Sequence, residues 1–75
     1  MEFCKNTNIP IGKRVRIVKN FGNDCEPFIN LIGTATHPFA YGCCKKDWIG
    51  VVLEEKTIYG NRLNFHIEEV IILDN

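Results

Sequence analysis

The chain has 75 residues, of which 9 are basic, 9 are acidic and 45% are hydrophobic. This composition excludes a disordered tail and a low-complexity linker, and no apolar run approaches the roughly 20 residues needed to cross a bilayer. A single small domain fits this length. Its core provides only about 3–5 kcal/mol of net stability, which argues against a large catalytic cleft.

Turn-forming residues recur at intervals of about ten residues, with glycine at 12, 22, 33, 42, 50 and 60 and proline at 10, 27 and 38. This spacing, without helical periodicity, is typical of an all-β domain. Val15 and Ile17 alternate with Arg14 and Arg16, which predicts a half-buried first strand at residues 12–19. A compact loop follows at residues 20–30.

The middle of the chain predicts two further strands separated by a second long loop. The second strand is predicted at residues 31–37, where Gly33 marks a bend or a close backbone approach. Pro38 ends this strand, and the loop continues to Asp47. The near-continuous apolar run at residues 48–54 predicts a central third strand.

The end of the chain predicts a hairpin, a single turn and a last strand. Gly60-Asn61 indicates a two-residue turn between residues 57–59 and 62–65. A one-turn helix at residues 67–69 and a strand at residues 70–73 complete five strands. The predicted core residues are Val15, Ile17, Ile32, Ala35, Ile49, Val51, Leu53, Leu63, Phe65, Val70 and Ile72.

This order of elements resembles the SH3-like small barrels. The motifs that support the resemblance are Gly12-Lys13-Arg14-Val15-Arg16-Ile17, Ile32-Gly33-Thr34 and Asn64-Phe65-His66-Ile67-Glu68-Glu69-Val70. The layout is similar to the small stromal subunit of photosystem I, to the variable chain of ferredoxin–thioredoxin reductase and to domains of the KOW type. It implies a five-stranded barrel domain at residues 11–75, preceded by an arm at residues 1–10. Because the loop with Cys43-Cys44 belongs to none of these families, the resemblance implies a fold and not a function.

The zero net charge conceals an uneven distribution. Residues 1–20 hold five basic side chains and one acidic one, whereas residues 54–75 hold two basic and five acidic side chains. Neighbouring strands would pair these charges, while opposite faces would produce a dipole that orients on a charged partner. Basic residues beside aromatic ones also suit nucleic acid, but the isoelectric point near 6.7 lacks the basic excess of dedicated nucleic-acid domains.

The cysteines and histidines are the residues with the richest chemistry: Cys4, Cys25, His37, Cys43, Cys44 and His66. They hold enough sulfur and nitrogen for zinc, yet none form the closely spaced ligand pairs of structural zinc sites. A disulfide between the adjacent Cys43 and Cys44 would close a strained ring. A catalytic thiol needs a base and an orienting group, and no such set is evident. A disulfide between distant cysteines, such as Cys4 and Cys43, stays open on sequence grounds, but we expect reduced thiols. We also expect no metal, no cofactor and no enzymatic activity.

Aromatic and basic residues concentrate in the loop at residues 38–48. The predicted binding residues are Arg14, Arg16, Phe39, Tyr41, Lys45, Lys46 and Trp48. The rings suit either a platform for a protein partner or a lid over the open end of a small barrel. The leading hypothesis is therefore a non-catalytic module that binds a protein partner. KOW-type nucleic-acid binding is the alternative, and a thiol- or zinc-dependent site is the third.

Two features bear on compartment and origin. The first six residues contain no hydrophobic stretch of the signal-peptide kind, so we expect a cytoplasmic protein without membrane contact. The chain has ten isoleucines, eight asparagines and six lysines but only two alanines and three arginines. Such usage is typical of AT-rich coding sequences and fits a bacteriophage or a low-GC bacterium. The partner's identity and the oligomeric state stay open.

Overall fold

The computed structural model describes residues 2–4, 6–19, 28–40 and 46–73. Its five antiparallel strands are β1 (Arg14–Ile17), β2 (Ile32–Thr36), β3 (Trp48–Thr57), β4 (Gly60–His66) and β5 (Val70–Ile72). They form one sheet in the order β4-β3-β2-β1-β5, and a 3₁₀ turn at Ile67–Glu69 precedes β5. The predicted all-β class, the five strands and the turn before the last strand are confirmed.

Strand β1 shows the predicted alternation most clearly. Val15 and Ile17 are completely buried, while Arg14 and Arg16 lie on the opposite side of the strand. Because successive side chains of a strand point to opposite faces, one face of β1 is apolar and the other is basic. β1 pairs with β2 on one side and with β5 on the other, so it lies inside the sheet.

The core lies on one face of the sheet and contains eight of the eleven predicted residues: Val15, Ile17, Ala35, Ile49, Val51, Leu53, Phe65 and Val70. Cys4, which we did not predict, is also fully buried. Two predictions are wrong: Ile32 is only half-buried, and Ile72 is 41% exposed. Leu63 is half-buried and packs against the core. Ile32 lies three positions from Ala35 and therefore on the other face, whereas Ile72 lies on an edge strand, where burial is incomplete.

Gly33 is buried and occupies a core-facing position of β2, whereas its neighbour Ile32 faces the other side. A Cβ atom at Gly33 would lie 2.5 Å from Cγ1 of Val51 and 2.7 Å from the carbonyl oxygen of Val52. The second strand therefore lies too close to β3 at this point for any side chain, which confirms the predicted close approach.

Residues 2–4 and 6–11 fold back onto the sheet. Phe3 forms an isolated antiparallel bridge with Pro10, and the Cys4 amide donates to the carbonyl oxygen of Ile9 at 2.9 Å. The Asp47 amide donates to the carbonyl oxygen of Asn6 at 3.3 Å, which ties this segment to the start of β3. The predicted arm is thus a packed turn, and its Cys4 is part of the interior.

The hairpin between β3 and β4 lies two residues earlier than predicted. Thr57 pairs with Gly60, so the turn residues are Ile58 and Tyr59 and not Gly60-Asn61. Gly60 has a φ of +88°, whereas neither turn residue has a positive φ. This pattern fits a turn followed by a left-handed glycine rather than a two-residue turn with glycine at its centre. The Thr57 hydroxyl accepts from the Tyr59 amide at 3.1 Å and donates to the Gly60 carbonyl at 2.7 Å.

The free-energy cost of a substitution at Gly60 should therefore come from backbone strain. No atom lies within 4 Å of a Cβ built there, so Gly60→Val is expected to cost about 1–2 kcal/mol through its left-handed φ alone. Gly60→Asn should cost clearly less, because asparagine tolerates that conformation. Chemical denaturation measures both, with Lys56→Val as the exposed control. Equal losses for valine and asparagine would contradict this explanation.

Candidate binding surface

The sheet has a second face, opposite the core, which we call the outer face. Directly paired residues of antiparallel strands share a face, so the pairing defines its members. They are Arg14, Arg16, Ile32, Thr34, Thr36, Trp48, Gly50, Val52, Arg62, Asn64, His66 and Ile71. Glu54 of β3 joins them through its contact with Arg14.

Two rows of side chains cross this face. The first row runs through Arg62, Val52, Thr34 and Arg14, one from each of four neighbouring strands. The second runs through Ile32, Arg16 and Ile71. The register therefore places all three arginines of the chain in adjacent rows, with β-branched side chains between and beside them.

One of these arginines has a carboxylate partner. Nη2 of Arg14 donates to Oε2 of Glu54 at 3.2 Å, in an exposed ion pair. Exposed pairs of this kind contribute at most about 1 kcal/mol. Arg16 and Arg62 are exposed, and within the part of the chain that the structure describes no carboxylate lies within 4 Å of either. The outer face is therefore basic, although the whole chain is neutral.

Phe39 lies against the outer face and is fixed there by β4. Its amide donates to Oδ1 of Asn64 and its carbonyl accepts from Nδ2 of the same side chain, both at 2.7 Å. A Cβ atom at Gly50 would lie 3.1 Å from Cε2 of Phe39, so the half-buried ring covers this glycine. The missing side chain at Gly50 makes room for the ring.

Trp48 and His66 form the end of the outer face. Their rings meet edge to face, with centroids 6.3 Å apart. Nδ1 of His66 accepts from the Glu68 amide at 3.1 Å, and the His66 amide donates to Oε1 of Glu69 at 2.7 Å. His66 thus caps the 3₁₀ turn, and its ring contacts the indole ring of Trp48.

The structure brings four of the predicted binding residues onto one face: Arg14, Arg16, Phe39 and Trp48. Lys46 is exposed in the turn before β3. Tyr41 and Lys45 lie outside the described residues. Arg62 was missed, because the sequence does not reveal which face it takes until β4 is aligned with β3.

The thiol and imidazole groups of the described residues have different neighbours. The thiol of the buried Cys4 lies 3.9 Å from the carbonyl oxygen of Trp48. Nε2 of His37 lies 2.6 Å from Oε2 of Glu2 at the surface. Among residues 2–4, 6–19, 28–40 and 46–73, no three His, Cys, Asp or Glu side chains are grouped to hold a metal. Cys25, Cys43 and Cys44 lie outside these ranges.

A separate apolar surface, which we call the hairpin tip, consists of Ile58 and Tyr59. Their exposed fractions are 86% and 65%. The Tyr59 ring contacts Phe28 at 5.9 Å between centroids, and Phe28 contacts the core residue Phe65 at 5.8 Å. The tip therefore joins the core side of the sheet, away from the outer face. Beside it lies a groove of about 330 Å³, lined by Leu31 and residues 55–58.

Comparison of the chain with protein-family models, with curated proteins and with solved structures finds no match. In the described part of the chain, no helix has the length and apolarity needed to cross a membrane. The function is therefore inferred from the geometry of this chain alone.

Proposed function

We propose that this protein is a non-catalytic binding module that holds a protein partner on its outer face. The observation that supports this is the arrangement of the two cross-strand rows, which gathers Arg14, Arg16 and Arg62 around β-branched side chains. Phe39 and Trp48 extend the same face. Arginine and aromatic residues are enriched at protein interfaces and carboxylates are depleted, and among the described residues of this face the one carboxylate is that of Glu54.

The scaffold of this module is an SH3-like barrel. Four sequential strands pair with their neighbours, and the fifth returns to β1 after a 3₁₀ turn. That order supports the barrel inferred from the sequence motifs. Binding residues held on such paired strands keep their positions without a partner, which lowers the entropy lost on binding.

Nucleic-acid binding of the KOW type is the second candidate, and the three arginines favour it. Two observations favour a protein partner instead. The Phe39 ring packs on Gly50 and the Trp48 ring meets His66, so both rings already have neighbours that compete with a stacked base. The net charge of zero also provides little long-range attraction for a polyanion.

The test compares two surfaces of the same protein. The wild type is immobilised, incubated with a lysate of the organism that encodes it, and the captured molecule is identified by mass spectrometry. Its affinity is then measured by calorimetry for the wild type, for the double variant Arg16→Gln/Arg62→Gln and for Ile58→Asn at the hairpin tip. All three substitutions are at exposed positions, so melting curves should coincide.

We expect the arginine double variant to lose about tenfold in affinity for a captured protein, while Ile58→Asn stays within about twofold. The opposite ranking would move the binding site to the hairpin tip and overturn the proposal. Capture of an oligonucleotide, with an affinity that falls steeply with salt, would replace it by the second candidate.

A further inference from the structure

Resting on this proposed function, we propose that the outer face recognises an extended acidic segment of its partner. The segment has two carboxylates about four residues apart and an aliphatic residue midway between them. Arg62 and the two arginines of β1 bind the carboxylates, and Val52 and Thr34 contact the residue between.

The charges of the outer face favour carboxylates. Glu54 neutralises only Arg14, so Arg16 and Arg62 leave a local excess of positive charge within the described residues. A guanidinium presents paired N–H donors that match the two oxygens of a carboxylate. The exposed pair between Arg14 and Glu54 is weak, so Arg14 remains free to rotate toward an incoming carboxylate.

The spacing follows from the sheet. Arg62 and Arg14 are separated by three strand intervals, across Val52 and Thr34, which corresponds to about 14 Å along the surface. An extended chain rises about 3.3 Å per residue, so this distance equals about four residues. Four is an even number, so both carboxylates of a segment that crosses the strands point to the same side.

The residue midway between the carboxylates also points to that side and meets the centre of the row. Val52 and Thr34 are half-buried there and offer methyl groups without a charge. An aliphatic side chain is therefore favoured at this position, because it removes more apolar surface from water. The recognised pattern is acidic, any residue, aliphatic, any residue, acidic.

A nucleic-acid strand fits this row poorly. Its phosphates recur at every nucleotide, at a spacing well below the ~14 Å between Arg62 and Arg14, so at least one phosphate would lie above Val52 and Thr34 without a cation. Glu54 would repel those that reach the second row. Two separated positive positions with an apolar centre match two separated carboxylates better than a continuous polyanion.

The experiment uses three peptides with blocked ends and the full chain labelled with nitrogen-15. The first contains Glu-Thr-Val-Thr-Glu, the second the same residues as Glu-Glu-Val-Thr-Thr, and the third replaces both glutamates of the first by glutamine. Amide shifts are followed during titration of the wild type, Arg62→Gln, Arg62→Lys and the control Lys56→Gln, whose lysine is exposed and lines the groove beside the hairpin tip.

We expect the spaced peptide to shift the amides around Arg62, Val52, Thr34 and Arg14 and to bind about threefold more tightly than the rearranged one. Arg62→Gln should abolish this preference, Arg62→Lys should reduce it because an ammonium group lacks the paired donors, and Lys56→Gln should leave it unchanged. The glutamine peptide should not bind measurably.

Equal affinity for the spaced and rearranged peptides, or an equal effect of Lys56→Gln and Arg62→Gln, would overturn the inference. Stronger binding of a thymidine decanucleotide than of the spaced peptide would overturn it in favour of nucleic acid. If none of the peptides binds while capture of a protein still depends on Arg16 and Arg62, the inference of an acidic segment is wrong and the proposed function stands. If capture does not depend on these arginines, the proposed function itself fails.

Discussion

Replacement of Phe65 by alanine is expected to destabilise the protein by about 3–5 kcal/mol. The side chain is 3% exposed, belongs to the core cluster and meets the Phe28 ring edge to face at 5.8 Å. Its truncation removes buried apolar surface and leaves a cavity beside Ile49, its partner in β3. Because a domain of this size has only about 3–5 kcal/mol of net stability, much of the variant should be unfolded at room temperature.

Leu63→Ala provides the matched control, since Leu63 lies on the same strand and the same face but is only half-buried. We expect it to cost about 1–2 kcal/mol. Urea denaturation followed by circular dichroism measures the two variants where they fold, and the residual signal in buffer measures the unfolded fraction. Similar midpoints for both variants would mean that Phe65 is not central to the core.

Gly50→Ala is expected to destabilise the protein by about 3 kcal/mol although it adds a single methyl group. The added Cβ would overlap the carbonyl oxygen of His37 and lie 3.1 Å from Cε2 of Phe39. The backbone at His37 is held by the neighbouring β2, so the segment at residues 37–40 must lift from the sheet as a unit. That movement would break both hydrogen bonds between Phe39 and Asn64.

The control for this prediction is Val52→Ala, on the same strand and the same face. Val52 is half-buried, so we expect a loss of less than about 1 kcal/mol. Thermal melting measures both variants, and the Phe39 amide resonance reports on the hydrogen bond to Asn64. An unperturbed Phe39 amide in Gly50→Ala would contradict the close packing of this segment on β3.

Several features could be predicted from the sequence because they depend on neighbouring residues only. The alternation in β1 assigned Val15 and Ile17 to the core and the two arginines to the other face, since the period of a strand is two. The positive φ at Gly60 and the turn after His66 likewise follow from local backbone preferences. These local patterns predicted the all-β class and most of the core residues.

The incorrect predictions arise where a local pattern fits two arrangements. Gly60 marks the end of the hairpin turn rather than its centre, and a turn glycine alone does not distinguish these positions. Ile32 is as apolar as Ala35, but the inward position beside it belongs to Gly33 because β3 approaches closely there. Hydrophobicity suggested that Ile32 is buried, but because Gly33 and Ala35 face the core, the alternation of the strand places Ile32 on the outer face.

The sequence by itself determined the strands and the basic face of β1 with Arg14 and Arg16, but not the binding surface. Arg62 joins Arg14 only through the register of β4, β3, β2 and β1, and a shift of one residue would place it on the core face. Phe39 is held by Asn64, which lies 25 positions further along the chain. Register and such long-range hydrogen bonds are properties of paired strands, because they depend on which segments meet, and so only the tertiary structure decided them.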